Sequence, residues 1–231
     1  MELFEAVPWS YMYAVCFAVF TYACFSEFTH FGKRAVQMLY TLYAPIYDMS
    51  KLFTPLRNNQ MRHLLKVPIE STKKHLDVAT GTGRMIWLLV NMPEWQGTST
   101  GIDCTEAMLV QARKKIPPQH QERVTFMHGD AQHLPFKKQT FDFVTCFEAL
   151  EHTQSPQKTL TEISRITEDG GYILFTKVRD WVVPLLPFRA LSRAQIETIL
   201  RGHDVTICSY APYFLSRYEL CLARKMSISL K

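Results

Sequence analysis

Leu76-Asp77-Val78-Ala79-Thr80-Gly81-Thr82-Gly83-Arg84 is the stretch on which the fold of this chain turns. His75 to Ala79 is a short apolar run of strand character. It feeds directly into two glycines that straddle Thr82. Such a loop permits a tight turn and lets a ligand approach the backbone closely. A phosphate-binding Walker loop needs Gly-Lys-Ser/Thr, which is absent. A dinucleotide loop needs a third glycine at position 86, which is Ile86. The carboxylate of Asp77 beside the turn would repel a pyrophosphate and favour a cation, such as the ammonium of an amino acid.

Outward from this loop, strands alternate with helices. Residues 84–92 read as a helix, 98–103 as a second strand, 105–115 as a helix and 124–128 as a third strand. Residues 141–146 form a fourth strand, 156–167 a helix, 171–176 a fifth strand and 192–201 a further helix. Residues 205–208 and 218–223 close the chain as strands. This order argues for a doubly wound α/β sheet, seven-stranded and mostly parallel, Rossmann-like in kind. Ligands of such sheets bind beyond the carboxyl ends of the strands.

Two further carboxylates stand at those ends. Asp103 closes the second strand, 20 residues after Gly83, where an acidic side chain accepts the hydroxyls of a ribose. Asp130 follows the third strand in His128-Gly129-Asp130-Ala131-Gln132-His133-Leu134-Pro135-Phe136, where it could accept from the exocyclic amine of a purine. His133 reads as shaping this loop. Together the loops specify a ligand with an ammonium, a ribose and an adenine, but no phosphate.

The stretches Leu76–Gly83, Gly101-Ile102-Asp103-Cys104-Thr105-Glu106-Ala107-Met108-Leu109, Gly129–Phe136, Phe141–Val144 and Leu160–Phe175, with its Asp169-Gly170-Gly171 turn, occur in this order. In them the chain resembles the class I S-adenosylmethionine-dependent methyltransferases over residues 74 to 224. The resemblance implies S-adenosylmethionine as cofactor, held by Asp77, Ala79, Gly81, Gly83, Asp103, Cys104, Asp130, Ala131 and Phe147. Ala79 departs from the family's first glycine. The same substitution is familiar from ubiquinone and menaquinone biosynthetic methyltransferases. Tyr43-Ala44-Pro45-Ile46-Tyr47-Asp48 also resembles a segment of those enzymes and of bacterial phospholipid N-methyltransferases. That comparison makes the Tyr43 to Arg57 segment a lid, with Tyr47 on the cofactor. A plain packing helix is the other reading.

After the fourth strand comes Cys146-Phe147-Glu148-Ala149-Leu150-Glu151-His152. In the resembled family this point faces the methyl group. Glu148, Glu151 and His152 match the spacing of some magnesium-dependent O-methyltransferases, and two carboxylates with an imidazole could hold Mg2+. Alternatively His152 or Glu148 serves as general base without metal, or Glu151 merely sits at the positive end of a helix.

The stretch Trp181-Val182-Val183-Pro184-Leu185-Leu186-Pro187-Phe188, flanked by Arg179, Arg189 and Arg193, suits core, an apolar substrate pocket or a membrane-facing patch. It favours a small lipophilic acceptor over a protein or folded RNA.

At the other end, Ala6 to Ser26 carries no charged residue. As a helix this run would just cross a hydrocarbon core of about 30 Å. Its aromatics, Trp9, Tyr11 and Tyr13 among them, could form an interfacial belt. The acidic start Met1–Glu5 is unlike a cleaved signal. Basic Lys33 and Arg34 after the run would keep that side in the cytoplasm. A single-pass anchor, a helix lying in the interface and a lid docked on the protein itself are the three readings. Residues 35–66 read as one or two amphipathic helices, with Val36, Leu39, Tyr40, Tyr43 and Ile46 at helical spacing and Pro45 and Pro55 as interruptions.

The domain reading is therefore 1–34 as hydrophobic anchor, 35–73 as helical lid or linker and 74–231 as methyltransferase domain. The basic residues lie in small groups, so a net charge of +5 gives no nucleic-acid footprint. Six scattered Cys with no C-x-x-C fit a reduced domain facing the cytoplasm. The expected function is methyl transfer to a quinone-like, phenolic or lipid acceptor at a membrane. A phospholipid headgroup N-methyltransferase and a non-catalytic subunit that anchors a partner are the alternatives.

Overall fold

Asp77, Gly81 and Gly83 owe their placement to a sheet of seven strands, ordered β3-β2-β1-β4-β5-β7-β6. The computed structural model describes residues 9–51, 66–213 and 217–227. The strands are β1 Lys74–Val78, β2 Thr98–Asp103, β3 Val124–His128, β4 Phe141–Cys146, β5 Thr167–Val178, β6 Val205–Pro212 and β7 Tyr218–Lys225. Strands β3, β2, β1, β4 and β5 pair in parallel, while β7 runs antiparallel to both β5 and β6. The helices are α1 Trp9–Phe25, α2 Lys33–Tyr43, α3 Tyr47–Lys51, α4 Arg84–Val90, α5 Glu106–Lys115, α6 Pro156–Ile166 and α7 Arg193–Arg201.

Alternation along the strands divides the core between the two faces of the sheet. Phe143, Leu174, Leu220 and Leu222 point to one face and pack with Ile86, Leu89 and Trp95. Val144, Ile173, Phe175, Cys221 and Ala223 point to the other and pack with Leu160, Ile163, Ile196 and Leu200. The apolar stripes of α6 and α7 supply the second layer. Ser155 and Ser192 cap these helices by accepting from the backbone N–H groups of Lys158 and Gln195.

The strand assignments from sequence hold, with differences at the ends. β5 is 12 residues long and runs through Asp169-Gly170-Gly171, which the sequence reading set as a turn before the strand. An irregular register between Phe141 and Phe143 absorbs the extra residues, and Gly170 takes a φ of 80°. β6 likewise continues to Pro212 past an irregularity between Ile207 and Ser209.

The N-terminal expectation needs correction. Among the described residues no helix is long and apolar enough to cross a membrane, so a single-pass anchor has no support. The described part of α1 runs from Trp9 to Phe25. It is diluted by Ser10, Thr21 and several Tyr, and it ends where Glu27 and Phe28 adopt left-handed φ values of 50° and 57°. Ser26 and Thr29 are buried there, and the Tyr22 hydroxyl donates to the Leu185 carbonyl 2.9 Å away, so this end of the helix is tied to the domain. The acidic start Met1–Glu5 and residues 52–65, which include Pro55 and the far half of the lid segment, lie outside the described residues, as do the side chains of Trp9 and Tyr11.

Candidate functional site

The glycine loop closes on itself and on β2. The Thr80 N–H donates to the Ile102 carbonyl at 3.0 Å and the Gly83 N–H to the Thr80 carbonyl at 2.9 Å. Gly81 has a φ of 54° and open space where a Cβ would stand, so its backbone faces a void. Gly83, at φ 70°, lies against Ala112 and Phe126, where a Cβ would stand about 3 Å from both. Ala79 takes a φ of 55°, a left-handed conformation normally reserved for glycine.

The carboxylates divide their work. Asp103 accepts from the Gly81 N–H through Oδ2 and from the Thr105 N–H through Oδ1, each at 2.8 Å. Burial raises its pKa, and those two N–H bonds oppose the rise. Asp77 is 3% exposed and receives hydroxyls from Thr145 and Thr80, each at 2.6 Å. Burial pushes its carboxyl up to about 6, against the pull of those two hydroxyls. Each oxygen keeps a second lone pair, and Asp77 borders a small cleft with Tyr47, Ala79, Gly81 and Glu148. Asp130 pairs with Lys33 of α2 at 2.6 Å and accepts from the Gln132 N–H at 2.9 Å. Burial opposes its ionisation, but the Lys33 ammonium and the Gln132 N–H outweigh it and hold the carboxyl below the usual range.

Beyond these strand ends lies a cleft of about 790 Å³, open to solvent on one side. Tyr47, Ala79, Gly81, Asp103, Cys104, Asp130, Ala131 and Phe147 all line it, so eight of the ten residues named from sequence as cofactor contacts converge there. Asp103 and Gly81 stand where a ribose and an amino-acid moiety would meet them, so the residues present fit S-adenosylmethionine. The roof is α2, whose Gln37 donates to the Cys104 carbonyl at 2.8 Å. Next to it, Asp48 of α3 accepts from Thr82 of the glycine loop at 2.8 Å and from Lys115 at 2.6 Å.

The three candidate catalytic residues do not act as one set. Glu148, at a left-handed φ of 49°, lines the cleft and accepts from the Tyr213 hydroxyl at 3.3 Å. His152 lines it too. Its Nε2 lies 3.2 Å from Glu27 Oε2 and its Nδ1 3.3 Å from Thr29 Oγ1, so both ring nitrogens are engaged. Glu151 is 2% exposed, faces Tyr218 and does not line the cleft. Among the described residues no group of three or more His, Cys, Asp or Glu is placed to hold a metal ion. Glu151 Oε1 lies 3.6 Å from His152 Nε2, while Glu148 faces Tyr213, so the magnesium reading of Glu148, Glu151 and His152 gains no support here.

A second cleft, also of about 790 Å³, adjoins the first and shares Tyr40, Tyr47, Glu148 and His152 with it. Glu27, Phe28, Leu39, Tyr43 and Tyr218 complete its walls. Sequence reasoning missed Glu27, Phe28 and Tyr218 altogether. It saw Tyr40 only as part of an amphipathic stripe, and nothing in the one-dimensional pattern links Glu27 to Arg217, 190 residues away.

The comparisons agree with this geometry. Residues 76–175 match the family model described as a methyltransferase domain. A demethylmenaquinone methyltransferase of Lactiplantibacillus plantarum is 30% identical over 155 residues, which cover 65% of this chain and 65% of that enzyme. The chain spans 45% to 65% of the length of the first curated relatives that it matches. Among solved structures, the [4+2]-cyclase SpnF superposes with a TM-score of 0.69 at 17% identity, covering 84% of this chain and 96% of that one. Phosphoethanolamine N-methyltransferase 2 of Haemonchus contortus, in complex with S-adenosyl-L-methionine, gives a TM-score of 0.61 at 18% identity over 74% of this chain and 53% of that one. These two likenesses show the fold. The fold and the cleft are those of class I S-adenosylmethionine-dependent methyltransferases, and residues 76–175 match a methyltransferase domain. S-adenosylmethionine is the cofactor of that class, and the Lactiplantibacillus plantarum and Bacillus cytotoxicus relatives, 30% and 33% identical, are demethylmenaquinone methyltransferases.

Proposed function

We propose that the chain methylates a small, ring-bearing lipophilic acceptor, quinol-like or phenolic, that enters the second cleft. The observation that carries this reading is the shared wall of Tyr40, Tyr47, Glu148 and His152 between the two clefts. An acceptor among Phe28, Leu39, Tyr40 and Tyr43 lies against the place where the cofactor's reactive end meets that wall. The menaquinone-type relatives support a quinol-like ring. Bound S-adenosylmethionine supplies an already activated methyl group, so the chain's contribution is alignment and exclusion of water. An acceptor that gains a methyl at oxygen or carbon gives up a proton, and Glu148 is the carboxylate at the shared wall to take it. His152, with both ring nitrogens bonded, shapes the wall.

Such an acceptor would arrive from a lipid surface. Tyr13, Val15, Phe17, Val19, Phe20 and Tyr22 of α1 are exposed around the whole helix, and Trp181, Leu185 and Phe188 are exposed beside its C-terminal end. A protein partner covers one face of a helix, whereas lipid covers all of them. Phe31, exposed, packs at a tilt against Phe28 of the acceptor cleft with ring centroids 5.7 Å apart, continuing the apolar path inward.

A headgroup amine is the second reading, favoured by Glu27 and Glu148 among tyrosines in the same cleft. Full-length protein with methyl-labelled cofactor, offered a demethylated isoprenoid naphthoquinol in one arm and phosphatidylethanolamine vesicles in another, decides between them. Label in the quinol is expected. Label only in phosphatidylethanolamine would transfer the assignment to the amine. Label in neither, with the cofactor bound, would overturn both.

A further inference from the structure

Glu27 sits at the break between α1 and α2 in a left-handed conformation, φ 50°, followed by Phe28 at 57°. Two consecutive left-handed residues that are not glycine cost on the order of 1–2 kcal/mol each, so other contacts must hold them. The Glu27 carboxylate supplies those contacts. Oε1 accepts from Arg217 Nη2 at 2.7 Å, and Oε2 accepts from the Tyr40 hydroxyl at 2.5 Å and lies 3.2 Å from His152 Nε2. The three partners come from three places in the fold: α2, the turn after β4 and the residue before β7. Tyr40 and His152 line both clefts, whereas Glu27 lines only the acceptor cleft.

We propose that Glu27 is a positioning residue for the acceptor. Its carboxylate fixes the ring of His152 with Nε2 as the donor, fixes the Tyr40 hydroxyl, and so sets the wall against which the acceptor is aligned. A carboxylate is required because three donors converge on it. Glutamine at this position would present an amide N–H to one of them and leave two donors facing each other. Tyr218, which receives from Arg217 at 3.2 Å and itself donates to Glu151, extends the same network beneath the cleft. This inference rests on the acceptor reading above, but its decisive test does not need turnover.

Nitrogen NMR of full-length protein with labelled histidine rings, the His152 signals being assigned by their loss in His152→Asn, reads the ring directly. In wild type, Nε2 should give the signature of a protonated donor. In Glu27→Gln that signature should change, while the affinity for S-adenosylmethionine by calorimetry stays within about twofold. Once an acceptor is in hand, Glu27→Gln should raise its KM at least tenfold with a smaller change in kcat, and Glu27→Asp should recover part of the loss. Identical His152 ring spectra in wild type and Glu27→Gln would overturn the proposal. So would loss of cofactor affinity in Glu27→Gln, because Glu27 would then be general scaffolding. Absence of methyl transfer by wild type with every acceptor would count against the acceptor reading alone, since the ring spectra still decide the role of Glu27.

Discussion

His75 and Asp77 lie two positions apart on β1, face the same side of the sheet and are both buried. His75 contacts Ser99 and Thr145, and Thr145 in turn donates to Asp77. Burial lowers the His75 ring to about 3 and raises the Asp77 carboxyl to about 6. The two shifts act on stability with opposite signs. Below the ordinary value of His, the unfolded chain binds a proton that folded His75 refuses, so that contribution rises with pH from about 3 to about 6.5. Folded Asp77 keeps a proton that the unfolded chain has lost, so its contribution falls as pH rises from 3.8 to about 6. At 1.36 kcal/mol per pKa unit, each effect is on the order of a few kcal/mol. Urea denaturation across about pH 4 to 6 should therefore show Asp77→Asn gaining stability with pH more steeply than wild type, and His75→Asn losing stability over the same range. Superimposable pH profiles would show that these groups are not buried as described. Asp103→Ala should weaken S-adenosylmethionine binding at least about tenfold by calorimetry, since hydrogen bonds to a charged group are worth roughly 1.5–3 kcal/mol. Asp103 was legible in the sequence because its place at a strand end, 20 residues after Gly83, is itself the signal. The hydroxyls that occupy Asp77 were not, since Thr145 reaches it only through the pairing of β1 with β4.

The glycine loop shows how an element sets its own tolerances. Ala79 holds a left-handed φ of 55°, and glycine there would remove a cost of about 1–2 kcal/mol while adding about 0.5–1 kcal/mol of unfolded-state freedom. Ala79→Gly should thus stabilise the protein by up to about 1 kcal/mol. Gly83→Ala should do the reverse, by about 2 kcal/mol or more. Its Cβ would add the left-handed cost and stand 3.0 Å from the Ala112 Cβ and 3.1 Å from Phe126 Cζ. Denaturation midpoints in urea read both, and equal shifts of the same sign would contradict the loop geometry. The departure at Ala79 was visible in the sequence, but the conformation that gives it a cost was not. The same holds for β5: Asp169-Gly170-Gly171 has turn composition, yet pairing with β4 through an irregular register keeps it in the strand. Local composition records the bend and omits the partner that keeps the segment extended.

At the scale of the whole molecule, the seven-stranded, mostly parallel sheet and the cofactor cleft at its strand ends followed from alternation of strand and helix, whereas the strand order came only from the pairing. For the N-terminal extension, absence of charge measures apolarity alone. It reports neither where a helix stops nor that its end is tied to the domain through Tyr22 and Leu185. If the exposed apolar side chains meet lipid, full-length protein should co-sediment with neutral phosphatidylcholine vesicles, and Trp181→Glu with Phe188→Glu should cut the bound fraction at least fivefold without changing cofactor affinity. Equal sedimentation of the variant would remove that surface from the account. The central claim is that the cofactor's reactive end meets the acceptor at the wall of Tyr40, Tyr47, Glu148 and His152. A crystal structure of the full chain with S-adenosylhomocysteine tests it most directly. The account predicts the ribose on Asp103 and the sulfur turned toward that shared wall. A ligand seated elsewhere, or a sulfur facing away from the tyrosine-lined cleft, would contradict it.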